Sequence, residues 1–368
     1  MRTRTRTIAA TAAALAFLTG ALLVPRWVDD TRDGGLPVTA SGYFFVGGQQ
    51  VTDDSGDRTS TTWTGQTMVH QLVPAGADKS PVIMMPGLGL SSSIFLTTPD
   101  GREGWAQQAA RAGHPVYVLD EPSLAISGFD VRPFNAVAAG EAPPASQPTM
   151  SVWSEEEIWS RWGFGASPGQ PYPDTRFPVR DMDQFLAALP PYWRSDSGAA
   201  GARAETTPQR PTPGPSATAT GAADSGSRGP GATAQEQALL ALLERTGPAI
   251  LLAHSAAGSA AFAVADQHQH PEQVVAVVAV EPVGCPTDAD QVPTAPTIAV
   301  YGDRIAERRQ TGRLDACRRT VGLVDTAGHP AQLVYLPDEG VRGNTHLMMQ
   351  DDNSDDIWHR IEDFLADS

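Results

Sequence analysis

Lysine is almost missing from this chain: Lys79 stands alone among 368 residues, and every other basic residue is an arginine. Bases are also outnumbered by acids, 26 against 42, leaving a net charge of −16. A chain so acidic repels phosphate backbones, so nucleic-acid binding is excluded as its main task. Long apolar runs are scarce. Only residues 8–24 approach the roughly 20 apolar residues of a bilayer span. With 41% hydrophobic residues and a mean hydropathy of −0.23, a membrane bundle is excluded. Cysteine is limited to Cys285 and Cys317.

What is present begins with an export signature. Arg2, Arg4 and Arg6 precede the apolar run, the order of charge and hydrophobicity that export machinery reads. Residues 1–30 are therefore set apart from the fold as a signal peptide or N-terminal anchor. Cleavage after Ala21, in Thr19-Gly20-Ala21, and an uncleaved anchor both fit. In a chain that matures outside the cytoplasm, one disulfide between Cys285 and Cys317 is the economical reading, worth roughly 3 kcal/mol when unstrained.

The remaining length exceeds one ordinary core of roughly 100–200 residues, which predicts a large domain with insertions, or two domains. Residues 42–48 and 67–73 read as strands of an N-terminal β-unit. Apolar bursts then recur at 82–85, 116–119, 249–252, 274–280, 297–301 and 332–336, with helix-length segments between them. Short apolar strands alternating with helices predict an α/β fold, a mostly parallel sheet flanked by helices. Residues 31–128 make the β-unit and first half of the core, and residues 236–368 the second half. Between them, residues 129–194 concentrate aromatic side chains, among them Trp153, Trp159, Trp162, Phe164, Tyr172, Phe177 and Trp193, and read as a cap over one end of the sheet. Most of these rings should pack the cap onto the core, and one or two lining a pocket would suffice for function. Residues 195–235 hold no aromatic, Leu, Ile, Val or Met residue. Such a segment cannot build a core and reads as a disordered insertion.

The chemistry is expected at Ala253-His254-Ser255-Ala256-Ala257-Gly258, where an apolar strand turns into a small-residue helix. That is the context of a nucleophile elbow. Its tight turn demands small residues two before and two after the nucleophile, and Ala253 and Ala257 stand where glycine is usual. His254 reads as structural. A serine hydroxyl needs a base to take its proton, and the chain order serine, acid, histidine puts that base late. His346, between the last strand and the terminal helix, fits. Two acids compete. Glu281 closes the strand at 274–280, and Asp303 closes the next one. An oxyanion hole needs the amide of Ala256 and a second amide, which Leu88 can supply in the turn Met85-Pro86-Gly87-Leu88-Gly89-Leu90. The same turn fails as a phosphate loop, because no Lys-Ser/Thr follows. His268 and His270 read as a solvated helix end rather than a metal site.

With these residues in view, the chain resembles the α/β-hydrolases, and more narrowly the secreted bacterial serine carboxylesterases of the Alcaligenes periplasmic type. Collinear matches carry the resemblance: Gly42-Tyr43-Phe44-Phe45-Val46-Gly47-Gly48, Thr97-Thr98-Pro99-Asp100-Gly101-Arg102, Gly104-Trp105, Asp174-Thr175-Arg176-Phe177-Pro178-Val179, His254-Ser255 with Gly258, Val280-Glu281-Pro282, and Gly343-Asn344 with His346 and Met348-Met349-Gln350-Asp351. The resemblance implies Glu281 rather than Asp303 as the triad acid, and it also favours the Cys285–Cys317 pairing. Pro86, Leu88-Gly89 and Ala256-Ala257 depart from the family pattern. The implied activity is hydrolysis of small-molecule carboxylic esters through an acyl-enzyme, with no metal or organic cofactor. An acyltransferase or thioesterase would use the same triad. A non-catalytic binding protein on this scaffold would need one triad member displaced. Dehalogenases and epoxide hydrolases of the fold use an aspartate nucleophile, which Ser255 argues against.

Overall fold

Strands built almost wholly from Val, Ile, Leu, Met and Ala have no polar face to offer water, so they must be covered on both sides. The structure, a computed structural model, describes residues 35–53, 59–194, 233–266 and 268–368. Its elements belong to one unit, Leu36–Ser368. Two long strands come first, β1 (Val38–Asp53) and β2 (Ser60–Pro74). They are followed by β3 (Val82–Met85), α1 (Ser93–Leu96), α2 (Trp105–Arg111) and β4 (Val116–Leu119). Next come α3 (Arg132–Ala138), β5 (Thr149–Ser151), α4 (Glu155–Arg161), β6 (Gly165–Ser167), β7 (Gln170–Pro171), α5 (Met182–Ala187) and β8 (Tyr192–Arg194). The chain ends with α6 (Ala234–Thr246), β9 (Ala249–His254), α7 (Gly258–Ala265), β10 (Val274–Val280), β11 (Thr297–Tyr301), α8 (Thr311–Thr326), β12 (Ala331–Tyr335) and α9 (Ser354–Asp367).

Eight strands form one sheet in the order β1-β2-β4-β3-β9-β10-β11-β12. The first two pairings are antiparallel, and every pairing from β4 to β12 is parallel. The mostly parallel α/β sheet is therefore the one that the spacing of apolar bursts predicts. Alternate residues of the central strands serve opposite faces. Ile250, Leu252, Val278 and Val280 pack with Trp105 of α2 and Ile357, Trp358 and Ile361 of α9. Leu251, Ala253, Val277 and Ala279 pack instead with Leu239, Leu242 and Leu243 of α6, Phe262 of α7 and Leu314 of α8. Each fully buried Val, Leu or Ile contributes about 1.5–3 kcal/mol of apolar transfer.

The segment between β4 and α6 interrupts this alternation, and its buried aromatic side chains join the core on one face of the sheet. Phe164 packs on Phe177 with centroids 4.2 Å apart, Trp162 on Phe185 at 5.9 Å, and Trp153 on Trp162 at 5.5 Å. Trp153, Trp159, Trp162, Phe164 and Phe177 are all buried, so they pack the segment onto the core. Tyr172 differs, lying under the Arg304 guanidinium at 4.1 Å.

Where the described residues resume after the low-complexity stretch, Thr233 Oγ1 accepts a hydrogen bond from Glu236 N–H and the Glu236 carboxylate accepts one from Thr233 N–H. This capping box starts α6 at Ala234, so the last residues assigned to the 195–235 insertion belong to a helix. The rest of that stretch and residues 1–30, with the apolar run 8–24, lie outside the described residues. Among the described residues, no helix is long and apolar enough to cross a membrane. Cys285 and Cys317 are joined in a disulfide, which ties the loop after β10 to α8.

Candidate active site

In a parallel sheet, the loops leaving the carboxyl ends of the strands gather at one edge, and those after β3, β9, β10, β11 and β12 meet here. β9 ends at His254, and Ser255 follows in a single 3-10 turn, Ser255–Ala257, that runs into α7. Ser255 has φ +53°, a left-handed conformation that costs a non-glycine residue on the order of 1–3 kcal/mol and is kept only where the surroundings enforce it. The surroundings are tight. Ala253 and Ala257 are fully buried, and a Cβ on Gly258 would come within 2.5 Å of Pro282 Cβ and 2.6 Å of the Val283 carbonyl. The Ser255 carbonyl accepts a hydrogen bond from Val283 N–H at 2.8 Å. Small residues around the serine thus let the elbow lie against the loop that carries Glu281.

The turn after β3 presses on the same serine. A Cβ on Gly87 would sit 2.8 Å from Ser255 Cβ and 3.1 Å from His254 Nδ1. Leu88 follows in that turn, with its carbonyl accepting from Trp153 Nε1 at 2.8 Å. Gly89, at φ +67°, has no room for a side chain beside Trp153 and Tyr192. The aromatic segment is thereby pinned to the turn that carries the candidate oxyanion amide, while Ala256 sits next to Ser255 in its 3-10 turn. Gly87→Ala is expected to push the turn off the serine and lower kcat roughly 10–100-fold with little change in melting temperature. Steady-state kinetics beside a thermal melt checks this.

Glu281, directly after β10, is fully buried and has φ +42°. Its Oε2 lies 2.6 Å from His346 Nδ1, and its Oε1 accepts from Gly302 N–H at 2.9 Å. Arg308 joins both oxygens, Nη1 to Oε1 at 3.0 Å and Nη2 to Oε2. Burial alone would raise this carboxyl, but the Arg308 guanidinium and the His346 contact hold it well below the usual carboxylate range. Asp303, the competing acid, faces elsewhere. Its Oδ2 accepts from Gly343 N–H at 3.1 Å, and its Oδ1 from Arg304 N–H at 2.7 Å and lies 3.5 Å from Arg342 Nη1.

His346 is buried, and burial lowers its imidazole to about 4 against the opposing pull of Glu281, with Arg308 and Arg313 pushing the same way as burial. Its backbone N–H donates to the Trp162 carbonyl at 2.9 Å. His254 Nε2 lies 2.9 Å from the His346 carbonyl, and the two rings are 4.5 Å apart. A ring nitrogen facing a carbonyl must carry the proton, and burial first of all holds the ring well below its ordinary pKa, so His254 is a neutral strut. Ser255 Oγ makes no hydrogen bond to His346 among the described residues.

No family model matches the chain. The structure superposes on the atomic-resolution structure of a novel bacterial esterase with a TM-score of 0.76, at 30% identity, over 92% of this chain and 99% of that one. The chain belongs to the α/β-hydrolases, in the group of that esterase. This hydrolase is also 28% identical over 261 residues to the probable secreted lipase phiG of Fungal sp. (strain ATCC 74256), covering 70% of the chain and 56% of the relative. It therefore spans about half the length of that curated relative.

The collinear motifs of the hydrolase acquire a physical role around His346. Asp351, fully buried, accepts from Thr345 N–H at 2.7 Å, Thr345 Oγ1 at 2.8 Å and Asn344 Nδ2 at 2.9 Å. Arg102 Nη1 donates to the Asp351 carbonyl at 3.0 Å, and Gln350 Nε2 to the Thr97 carbonyl at 2.7 Å. Arg176 N–H donates to the Gly343 carbonyl at 3.0 Å, and a Cβ on Gly343 would lie 1.6 Å from the Asp174 carbonyl oxygen. Segments distant in sequence all brace one loop, the loop that presents the histidine. Arg308, the Trp162 carbonyl and Asp351 as an anchor were not read from the sequence as parts of the site. Only Asp351 left a signal there, as a motif match without a role.

Proposed function

We propose that this hydrolase is a secreted serine carboxylesterase that cleaves small-molecule carboxylic esters through an acyl-enzyme. Ser255 Oγ attacks the ester carbonyl as His346 Nε2 takes its proton. Glu281 holds the Nδ1–H tautomer and faces the imidazolium that forms, and the amides of Leu88 and Ala256 receive the developing oxyanion. His346 returns the proton to the leaving alcohol. Water then enters by the same route and releases the acid. The scheme needs no metal or organic cofactor, because base, orienting acid and oxyanion donors are all protein groups.

The observation that carries this reading is the buried 2.6 Å contact between His346 Nδ1 and Glu281, set behind a serine held in the left-handed region. The oriented imidazole packs on the ring of His254, the residue before this serine, and an imidazole held near a serine in this way can activate its hydroxyl. Serine–histidine hydrogen bonds in unliganded sites are commonly loose and tighten with substrate. The disulfide and the likeness to a secreted lipase support an extracytoplasmic location. The test is turnover of a panel of short- and medium-chain p-nitrophenyl esters, with and without a primary alcohol as competing acceptor. Net release of free acid is expected throughout. No turnover of any ester would contradict the reading, and transfer to the alcohol outrunning hydrolysis would make the protein an acyltransferase.

A further inference from the structure

Arg308 is a cation at the centre of a site whose mechanism, as given, uses only a serine, a histidine and a glutamate. Its side chain is 1% exposed and that of Glu281 is fully buried. A buried guanidinium is tolerated only when its donors are engaged, and here they are. Besides the two Glu281 oxygens, Nη1 donates to the Asp303 carbonyl at 3.0 Å, Nη2 to Gln310 Oε1 at 2.9 Å, and Nε to the Arg161 carbonyl at 3.3 Å. Planar two-point contact fixes the carboxylate plane as well as its position. Glu281 Oε2 is then shared between Arg308 and His346, and Arg308 Nη2 lies only 3.3 Å from His346 Nδ1. When Nδ1–H donates to Glu281, that nitrogen has no lone pair for Arg308. The 3.3 Å contact is thus between two donors, and a protonated imidazole would face a fixed positive charge there.

The other groups around His346 do not offset this. His254, from the end of β9, is a neutral ring; Trp162, from the aromatic segment, presents an uncharged indole 6.2 Å away; and Arg313, on α8, adds a second positive influence. Glu281 is the one anion among these groups, and Arg308 neutralises it. In a plain carboxylate–histidine pair the carboxylate favours the imidazolium. A carboxylate already paired with a guanidinium does so far less.

We propose that Arg308 is a positioning residue of this site: it clamps Glu281 in the orientation that meets His346 Nδ1, and its charge adds to burial in favouring the neutral imidazole, which can then act as a base into acidic pH. The proposal rests on the serine, histidine and glutamate reading above. Glu281, held ionised by the same guanidinium, stays an acceptor over the same range, so the acid limb of the activity profile belongs to His346.

The test is the pH dependence of kcat/KM for wild type, Arg308→Lys and Arg308→Met, with phosphonate labelling of Ser255 run on each. Wild type is expected to keep at least about half of its maximal kcat/KM at pH near 5. Arg308→Met, which removes charge and clamp together, should move the acid limb up by at least about one unit, toward the ordinary histidine value of about 6.5, and lower the plateau. Arg308→Lys, which keeps the charge but not the two-point contact, should hold the limb within about half a unit of wild type and lower the plateau roughly tenfold. A folded Arg308→Met whose limb coincides with that of wild type overturns the proposal. If Arg308→Met does not fold, Arg308→Lys decides: a plateau equal to that of wild type overturns the proposal, as does a wild-type limb near 6.5. Failure of the underlying mechanism would look different, as unlabelled Ser255 in active wild-type protein.

Discussion

Ser255→Ala lowers kcat/KM for p-nitrophenyl esters by roughly 10⁴–10⁶-fold and leaves the fold intact. The size follows from the nature of the step: without a nucleophile there is no acyl-enzyme, and what remains is water attack helped only by binding and the oxyanion donors. Alanine suits the position sterically, because Ser255 lies between Gly87 and the Pro282–Val283 backbone with little free space. Alanine meets the same left-handed strain at φ +53° as serine, so the melting temperature should stay within about 2–4 °C of wild type. Kinetics and a thermal melt on the same preparation separate lost chemistry from lost structure. A variant that stays folded and keeps more than about a tenth of the activity would mean another residue forms the covalent bond.

Glu281→Gln and Asp303→Asn form the second pair, because the two acids were rivals and their surroundings now differ. Glutamine at 281 retains the shape but can present an amide N–H to His346, favouring the tautomer that cannot accept the serine proton. A loss of roughly 10³–10⁴ in kcat is expected. The substitution also strands the buried Arg308 charge, so stability should fall by about 3–5 kcal/mol. Kinetics are therefore measured well below the melting temperature found for the variant. Asparagine at 303 weakens a brace on Gly343 N–H, three residues from the histidine. It should cost about 1 kcal/mol of stability and less than about tenfold in kcat, since His346 keeps its other anchors. The reverse order, with Asp303→Asn the crippling change, would transfer the orienting role to Asp303.

The fold was legible because its central strands obey simple rules. The runs at 82–85, 116–119, 274–280 and 297–301 stand in the structure with the bounds that their apolar composition suggests. The N-terminal strands were read too short. β1 and β2 extend through Gln49, Gln50, Thr61 and Thr62 as an antiparallel ribbon, and polar residues paired in such a ribbon leave no apolar pattern. α6 begins inside a stretch of Ala, Gly, Pro, Ser and Thr, where a capping box of two polar residues is easily lost in the composition. At the candidate site, Ser255 and His346 stand out in the sequence because an elbow and a chain order point to them. The preference for Glu281 over Asp303 comes from family resemblance, since both close parallel strands and Asp303 holds the position most α/β-hydrolases use. The carboxylate that reaches the imidazole is that of Glu281, at a residue with positive φ, which no residue type signals. Arg308 left no trace at all. It sits in a loop among other arginines, and only the packed structure distinguishes the buried one.

The account stands most directly on covalent chemistry at one oxygen atom. Wild-type protein treated with an alkyl fluorophosphonate, digested and examined by mass spectrometry, should carry one adduct per chain, on the peptide that contains His254-Ser255-Ala256. His346→Ala should label far more slowly. An adduct on Ser255 that depends on His346 is the predicted result. Protein that hydrolyses esters yet carries no adduct on Ser255, or labels equally fast without His346, would contradict the account.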